Sequence, residues 1–137
     1  MKKKTVIIAV LTVAVLVALV LGAYVLYDDM FPYAAPIKQL EISIIESVNM
    51  YDNENKDIVV GDEELQKLIN YINVAVPTRT MSVNDYPVVR PYYVVEFKTM
   101  ERFIRFMIYE DNGASYAEIP YEGVYEIDRE AVVILEQ

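Results

Sequence analysis

The chain is organised around residues 92–125, which read YYVVEFKTMERFIRFMIYEDNGASYAEIPYEGVY. On either side of the loop at residues 99–102, every second residue is apolar. Such alternation is typical of strands that bury one face, so Tyr92–Lys98 and Arg102–Tyr109 are predicted to pair in one antiparallel sheet. Asn112 and Gly113 both tolerate positive φ, which predicts a type I′ turn and a third strand after it.

The even length of the loop determines which residues of the first two strands face each other. A slip of one residue would scatter the apolar side chains over both faces, whereas the matched register keeps them together. The same register sets Glu96 opposite Arg105, a favourable cross-strand charge pair. The predicted pairs on the apolar face are Phe97–Ile104, Val95–Phe106 and Tyr93–Ile108, followed by Ile108–Ala117 and Phe106–Ile119 across the second turn.

Charge and composition exclude several functions. The chain has 137 residues, a net charge of −9, and neither cysteine nor histidine. Lys2, Lys3 and Lys4 lie at one end, so the remaining 9 basic and 21 acidic residues give −12. Nucleic acid is not an expected partner, because phosphate contacts need clustered Lys and Arg. Thiol nucleophiles, disulfides, zinc sites of Cys or His and a histidine base are excluded, and no cofactor or metal is expected.

The N-terminal segment predicts a membrane span. Thr5–Tyr27 contains 23 residues without a charge, long enough to cross a bilayer as a helix. The lysines before it predict a cytoplasmic N-terminus and an extracytoplasmic C-terminal domain. A cleaved signal peptide is the alternative, but cleavage after Ala23 or Ala35 would place Leu21 or Tyr33 where a small residue is needed. An uncleaved signal anchor over residues 1–27, contacting the membrane through residues 5–27, is therefore preferred.

The remaining chain predicts a linker and one domain. Residues 28–39 contain Pro32 and Pro36 and are expected to form a short stiff linker before a domain of residues 40–137. The fold class is α+β, with an N-terminal transmembrane helix, one antiparallel sheet of about four to six strands, and two helices packed on one face. Besides the central strands, the expected elements are strands Leu40–Val48, Lys56–Val60 and Val124–Ile127, a helix from Asp62 that Pro77 ends, and a helix Arg129–Glu136.

A row of tyrosines is the candidate binding site. Tyr92, Tyr109 and Tyr116 are predicted to line up across three strands on the face opposite the helices, beside Met107 and Arg105. An exposed aromatic patch usually marks a contact surface, on which a sugar or a peptide segment could stack. The alternatives are that a helix or the first hairpin covers this face, or that tyrosine simply suits exposed strands.

Other patterns carry less weight. Residues 52–57 resemble the start of a calcium loop, but Lys56 occupies a ligand position and Asp57 replaces the glycine of the sharp turn, so a solvated hairpin tip is expected. Paired carboxylates can catalyse glycoside hydrolysis, yet a charged rim is the preferred interpretation of the acidic residues around the turn at 120–123. Those residues are Glu118, Glu122 and Glu126. The serines have no histidine to activate them, and an enzyme is not expected.

Two segments carry a family resemblance: Ser82–Pro87, SVNDYP, and Tyr116–Tyr125, YAEIPYEGVY. In these segments the chain resembles an uncharacterised family of small membrane-anchored or secreted domains of unknown function from Gram-positive bacteria. The Pro-Tyr-x-Gly-x-Tyr pattern is the most specific part, and the likeness extends over roughly Leu40 to Leu135. The resemblance implies a location in the cell envelope and offers no catalytic residues to carry over.

These observations lead to a functional expectation. The chain is predicted to be a non-enzymatic, single-pass membrane protein whose extracytoplasmic domain binds or senses a protein, peptide or glycan of the envelope. The first alternative is an inhibitor or accessory subunit that holds a neighbouring membrane protein. The second is a carboxylate-dependent hydrolase, which would require two close carboxylates with raised pKa values in a deep pocket.

Overall fold

The structure, a computed structural model, describes residues 2–137. It divides into two compact units, Met1–Pro32 and Tyr33–Gln137. A short 3₁₀ turn, Ile42–Ile44, precedes the first strand. The helices are α1 (Lys2–Met30), α2 (Asp62–Asn73) and α3 (Glu130–Leu135), and the strands are β1 (Ile45–Asp52), β2 (Val76–Pro77), β3 (Tyr92–Thr99), β4 (Phe103–Asp111), β5 (Ala114–Ile119) and β6 (Gly123–Ile127).

The first unit contains α1, which includes the uncharged run Thr5–Tyr27. Its 29 residues make a helix of about 44 Å, and the hydrocarbon core of a bilayer is about 30 Å thick. The helix is therefore long and apolar enough to span a membrane. This confirms the predicted apolar helix, which continues three residues beyond Tyr27 to Met30.

The second unit is built on one six-stranded antiparallel sheet in the order β1-β3-β4-β5-β6-β2. Together with its two helices, this sheet confirms the α+β class. Asn112 and Gly113 have φ of 52° and 82°, as a type I′ turn requires. The predicted register of β3 and β4 is confirmed at the pairs Phe97–Ile104, Val95–Phe106, Tyr93–Ile108 and Glu96–Arg105, and that of β4 and β5 at Ile108–Ala117.

Helices α2 and α3 cover the sheet face that carries Phe97, Phe106 and Ile108, all of which are fully buried. The apolar residues of α2 recur three or four positions apart, which directs one stripe of side chains to the sheet. The buried helix residues are Leu68, Ile69 and Ile72 of α2 and Ala131, Val132, Ile134 and Leu135 of α3. The predicted arrangement of two helices on one face is confirmed.

Three predicted boundaries are wrong around the first hairpin and α2. The strand expected at Leu40–Val48 begins only at Ile45, and the one expected at Lys56–Val60 is a single bridge from Asp57 to Tyr51. Helix α2 ends at Asn73, so that Val76 and Pro77 can pair with β6.

A side chain replaces a strand neighbour at Leu40. The backbone N–H of Leu40 donates to Asn73 Oδ1, and the backbone C=O of Leu40 accepts a hydrogen bond from Asn73 Nδ2, both at 2.8 Å. These bonds use the backbone groups that a strand neighbour would bond, and the side chain of Leu40 is buried in the core.

The predicted linker is wrong from residue 33 onward. Residues 33–40, called the strap below, lie on the folded unit. The Ala34 N–H donates to the Thr78 carbonyl at 2.9 Å, and the Tyr125 hydroxyl donates to the Ala35 carbonyl at 2.7 Å. Ala34 and Leu40 are buried. The domain therefore begins at Tyr33 rather than at Leu40.

Phe106→Ala is expected to lower the free energy of unfolding of the unit Tyr33–Gln137 by about 3–5 kcal/mol, because it truncates a fully buried aromatic residue. Phe103→Ala is the matched control, since Phe103 lies in the same strand but is 59% exposed, and its loss should stay within about 0.5 kcal/mol. Urea denaturation measures both values, and equal losses would contradict the assignment of the two faces of β4.

Candidate functional site

The predicted row of tyrosines exists. Tyr109 pairs with Tyr92 of β3 and with Tyr116 of β5, and the Tyr109 and Tyr116 ring centroids are 5.8 Å apart. The expectation that this row is exposed is wrong. Tyr92 and Tyr109 retain only 7% and 8% of their accessible surface, and Met107 retains none. Tyr116 and Arg105 are half-buried.

Residues 78–91, called the cover loop below, lie over part of this second face. Val89 of the loop packs into a small core of Tyr92, Val94, Met107 and Tyr109. The Tyr86 ring lies 6.0 Å from the Tyr92 ring, measured between centroids. The apolar residues of this face therefore serve a second core, and the sheet is covered on both sides.

A buried carboxylate holds the cover loop to the sheet. Glu118 is 6% exposed and Ser82 is 3% exposed, and the Ser82 hydroxyl donates to Glu118 Oε1. The Tyr109 hydroxyl donates to Glu118 Oε2 at 3.2 Å. No buried side-chain nitrogen or oxygen of residues 3–137 lacks a hydrogen-bond partner. Each buried polar side-chain atom of the cluster therefore already has a partner within the domain.

Burial raises the pKa of the Tyr109 hydroxyl well above its usual value, and the negative charge of Glu118 raises it further. The folded state therefore holds the Tyr109 proton more tightly than the unfolded chain does. The resulting stabilisation is complete below about pH 10 and is lost as the pH rises toward the folded-state value.

A comparison of the wild type with Tyr109→Phe should make the loss of this stabilisation at high pH measurable, because phenylalanine cannot ionise. At neutral pH the variant is expected to be less stable by about 1 kcal/mol, since it lacks the hydrogen bond to Glu118. The difference between wild type and variant should narrow as the pH rises above about 10. Urea denaturation at a series of pH values checks this, and a constant difference between about pH 8 and pH 11 would contradict it.

A cleft of the folded unit lies elsewhere, beside the first half of β4. It is a cleft of about 540 Å³, called the strap cleft below. One wall is Pro36–Lys38 of the strap, the floor is Phe103–Phe106, and the third side is formed by Ile119, Pro120 and Glu122, with Arg102 at the end. Of the five predicted site residues, the cleft includes Arg105.

The Pro-Tyr-x-Gly-x-Tyr segment builds one side of this cleft. Tyr121 has φ of +63°, and its hydroxyl donates to Asp85 Oδ1 at 2.7 Å. A Cβ at Gly123 would overlap the Ala34 side chain, so only glycine lets the strap approach this closely. Tyr125 then donates to the carbonyl of Ala35. Lys38 was missed as a site residue because the strap was interpreted as a linker.

The cations of the cleft differ in their partners. Arg105 forms an ion pair with Glu96 at 2.9 Å, whereas Lys38 lies 3.7 Å from Glu101 with both side chains largely exposed. Such an exposed pair is worth little. Arg102 donates one guanidinium N–H to the Lys38 carbonyl at 3.1 Å, and among residues 2–137 no carboxylate forms an ion pair with it. The lining of the cleft therefore holds three cations, Lys38, Arg102 and Arg105, against the carboxylate of Glu122, in a chain that is strongly acidic.

Residues 2–137 bring together no group of three Asp or Glu side chains that could hold an ion. At the acidic tip after β1, Asp52 Oδ1 instead accepts hydrogen bonds from the N–H groups of Glu54 and Lys56, at 2.8 and 2.9 Å. These bonds lower the pKa of the Asp52 carboxyl and form the predicted hairpin tip.

The fold defines a class, an α+β domain with a sheet covered on both faces and preceded by an apolar helix. The chain belongs to the DUF5301 family, described as a domain of unknown function (DUF5300), which matches residues 32–126. It is also similar to the NMR structure of a protein from Ruminococcus gnavus, with 26% sequence identity and a TM-score of 0.54 over 70% of this chain and 97% of that one. No curated protein matches the chain. The resemblance to an uncharacterised family is thus confirmed.

Proposed function

We propose that this protein is a non-enzymatic, membrane-anchored binding or sensing module. Its folded unit lies outside the cytoplasm and contacts a protein, peptide or glycan of the cell envelope through the strap cleft. The single observation that carries the proposal is the cation Arg102, which lies at a cleft of about 540 Å³ and has no carboxylate partner within residues 2–137.

The shape and lining of the cleft support a binding role. Ligand sites are typically concave openings of about 300–1,000 Å³ with an apolar lining and a few polar groups that fix orientation. Here Ile37 and Phe103 supply apolar surface. Lys38 and Arg102 supply positive charge, and Glu122 adds one carboxylate at the opposite side. The negative charge of the rest of the chain would discourage anionic ligands from binding elsewhere.

The anchor is supported by the apolar helix and by the lysines before it. Lys2, Lys3 and Lys4 favour a cytoplasmic N-terminus, and Tyr24 and Tyr27 would suit the opposite interface. The non-enzymatic role is supported by Glu118, the one buried carboxylate among the described residues, because two hydroxyl groups occupy its oxygens.

Single cysteines test the orientation, because the chain contains none. In intact cells, a membrane-impermeant maleimide should label Lys67→Cys, which is exposed on α2, and should label Lys3→Cys only after permeabilisation. Intact mass of the labelled Lys67→Cys protein shows whether residues 1–27 are retained. Labelling of Lys3→Cys but not Lys67→Cys in intact cells would reverse the proposed topology.

Photocrosslinking in the host cell tests the cleft. A benzophenone side chain at position 103, in the cleft floor, is expected to give discrete adducts that the same group at the exposed position 74 does not give. Lys38→Glu should reduce their yield about threefold or more, since it reverses a charge at the rim.

Lys67→Glu is the matched control, because it makes the same charge change on the exposed surface of α2. The yield of adducts from position 103 in the Lys67→Glu protein should equal the yield without this charge reversal. If position 103 yields no discrete adduct, or if both charge reversals reduce the yield equally, the strap cleft is not the contact region.

A further inference from the structure

The floor of the strap cleft is an open strand edge. The Thr99 N–H donates to the Arg102 carbonyl at 2.9 Å, so the residues of β4 that bond to β3 are Ile104, Phe106 and Ile108. Alternation then directs the N–H and C=O groups of Phe103 and Arg105 to the opposite side, toward the line of β5.

The ladder between β4 and β5 does not extend to these groups. Its pairs end at Met107–Glu118, so the expected pair Phe106–Ile119 lies just beyond it. In the same register Pro120 would face Arg105, and proline has no N–H to donate. Among residues 2–137, no other backbone hydrogen bond reaches Phe103 or Arg105 on this side.

The cleft lies where the missing strand neighbour would be. Phe103–Phe106 form its floor, and the strap residues Pro36–Lys38 face them across the opening. Elsewhere along β4, this position is filled by β5. An extended chain entering the cleft would therefore take the place of a strand, in the way that peptides add to exposed sheet edges.

We propose that the strap cleft binds an extended peptide segment as an added β-strand along Phe103–Arg105, with a carboxylate of the peptide held by Arg102 and Lys38. The inference rests on the proposed binding function and specifies the ligand of that cleft. Backbone N–H and C=O groups of the peptide complete the open ladder, and the guanidinium of Arg102 retains donors for a carboxylate.

The open ladder favours a peptide over other anionic ligands. A phosphate polymer would satisfy the two cations but would leave the C=O groups of Phe103 and Arg105 without donors. A peptide satisfies both the charge and the backbone. The peptide is thus recognised by its extended backbone and by one acidic group near the start of β4, at Arg102.

The test uses the full chain, ¹⁵N-labelled in detergent micelles, and the probe peptide acetyl-Thr-Val-Glu-Val-Thr-amide. Titration is expected to shift the amide signals of Phe103 and Arg105 and to slow their hydrogen exchange, because both gain hydrogen bonds. The amide of Ile104 should retain its exchange rate, since it is already bonded to β3. Replacing Glu by Gln in the probe, or Lys38 by Glu in the protein, should weaken binding about threefold or more. The Lys67→Glu protein should bind as the wild type does.

Two N-methylated probes distinguish strand addition from simple charge attraction. One carries N-methyl groups on both valines, and the other carries them on the glutamate and the last threonine. Only alternate N–H groups of an added strand face β4. One methylated probe should therefore bind about tenfold more weakly than the parent peptide, while the other should keep the affinity of the parent peptide. Equal affinity of both methylated probes and the parent peptide would overturn strand addition.

Other occupants would give different results. Sodium polyphosphate that binds as tightly as the Glu peptide would overturn the peptide assignment and indicate an anionic polymer. Amide shifts at Phe103 and Arg105 that appear on concentrating the protein without peptide would overturn it in favour of a second copy of the chain. If photocrosslinking at position 103 finds a partner while no peptide binds, the proposed binding function is supported and strand addition is overturned. If neither a crosslinked partner nor peptide binding is observed, the cleft has no binding role.

Discussion

The register of β3, β4 and β5 is the constraint on which the rest of the folded unit depends. Because side chains alternate along a strand, one pairing places Phe97 and Phe106 under the helices and Tyr109 and Glu118 under the cover loop. A shift of one residue would exchange these two sets, bury Arg105 among the helices and leave the carboxylate of Glu118 without the hydroxyl of Ser82. The same register makes Pro120 the residue at which the ladder stops, and so it determines where the cleft lies.

The strap lies beside the point where the ladder between β4 and β5 ends, and so forms a cleft there. Without residues 33–40 the start of β4 would be an open edge facing solvent, which proteins usually shield. Three side chains distant in sequence hold the strap in place: Tyr125 at Ala35, Arg102 at Lys38, and Asn73 at Leu40. Since Arg102 both holds the strap and presents a charge without a carboxylate partner among residues 2–137, the structural role and the proposed binding role of the cleft meet in one residue.

The two faces of the sheet show why aromatic content alone does not locate a binding surface. Tyr92 and Tyr109 have the composition of a contact patch, but the cover loop uses them as a second core. Their hydroxyl groups also need partners once buried, and Glu118 supplies one for Tyr109. The open backbone groups of Phe103 and Arg105 lie at a strand edge rather than on a strand face, which is why the proposed ligand is an extended chain.

The sequence by itself determined the apolar helix, the central register, the turn at Asn112-Gly113 and the two helices on one face. These features follow from local periodicity, which a short window of residues contains. Only the tertiary structure decided that residues 78–91 cover the tyrosines and that residues 33–40 belong to the domain. Neither segment has a helical or strand period, and their positions depend on single hydrogen bonds such as Ser82 to Glu118 and Tyr125 to Ala35, between residues 36 and 90 positions apart. No local pattern specifies such a partner, because it is selected by the shape and the unsatisfied groups of the assembled sheet.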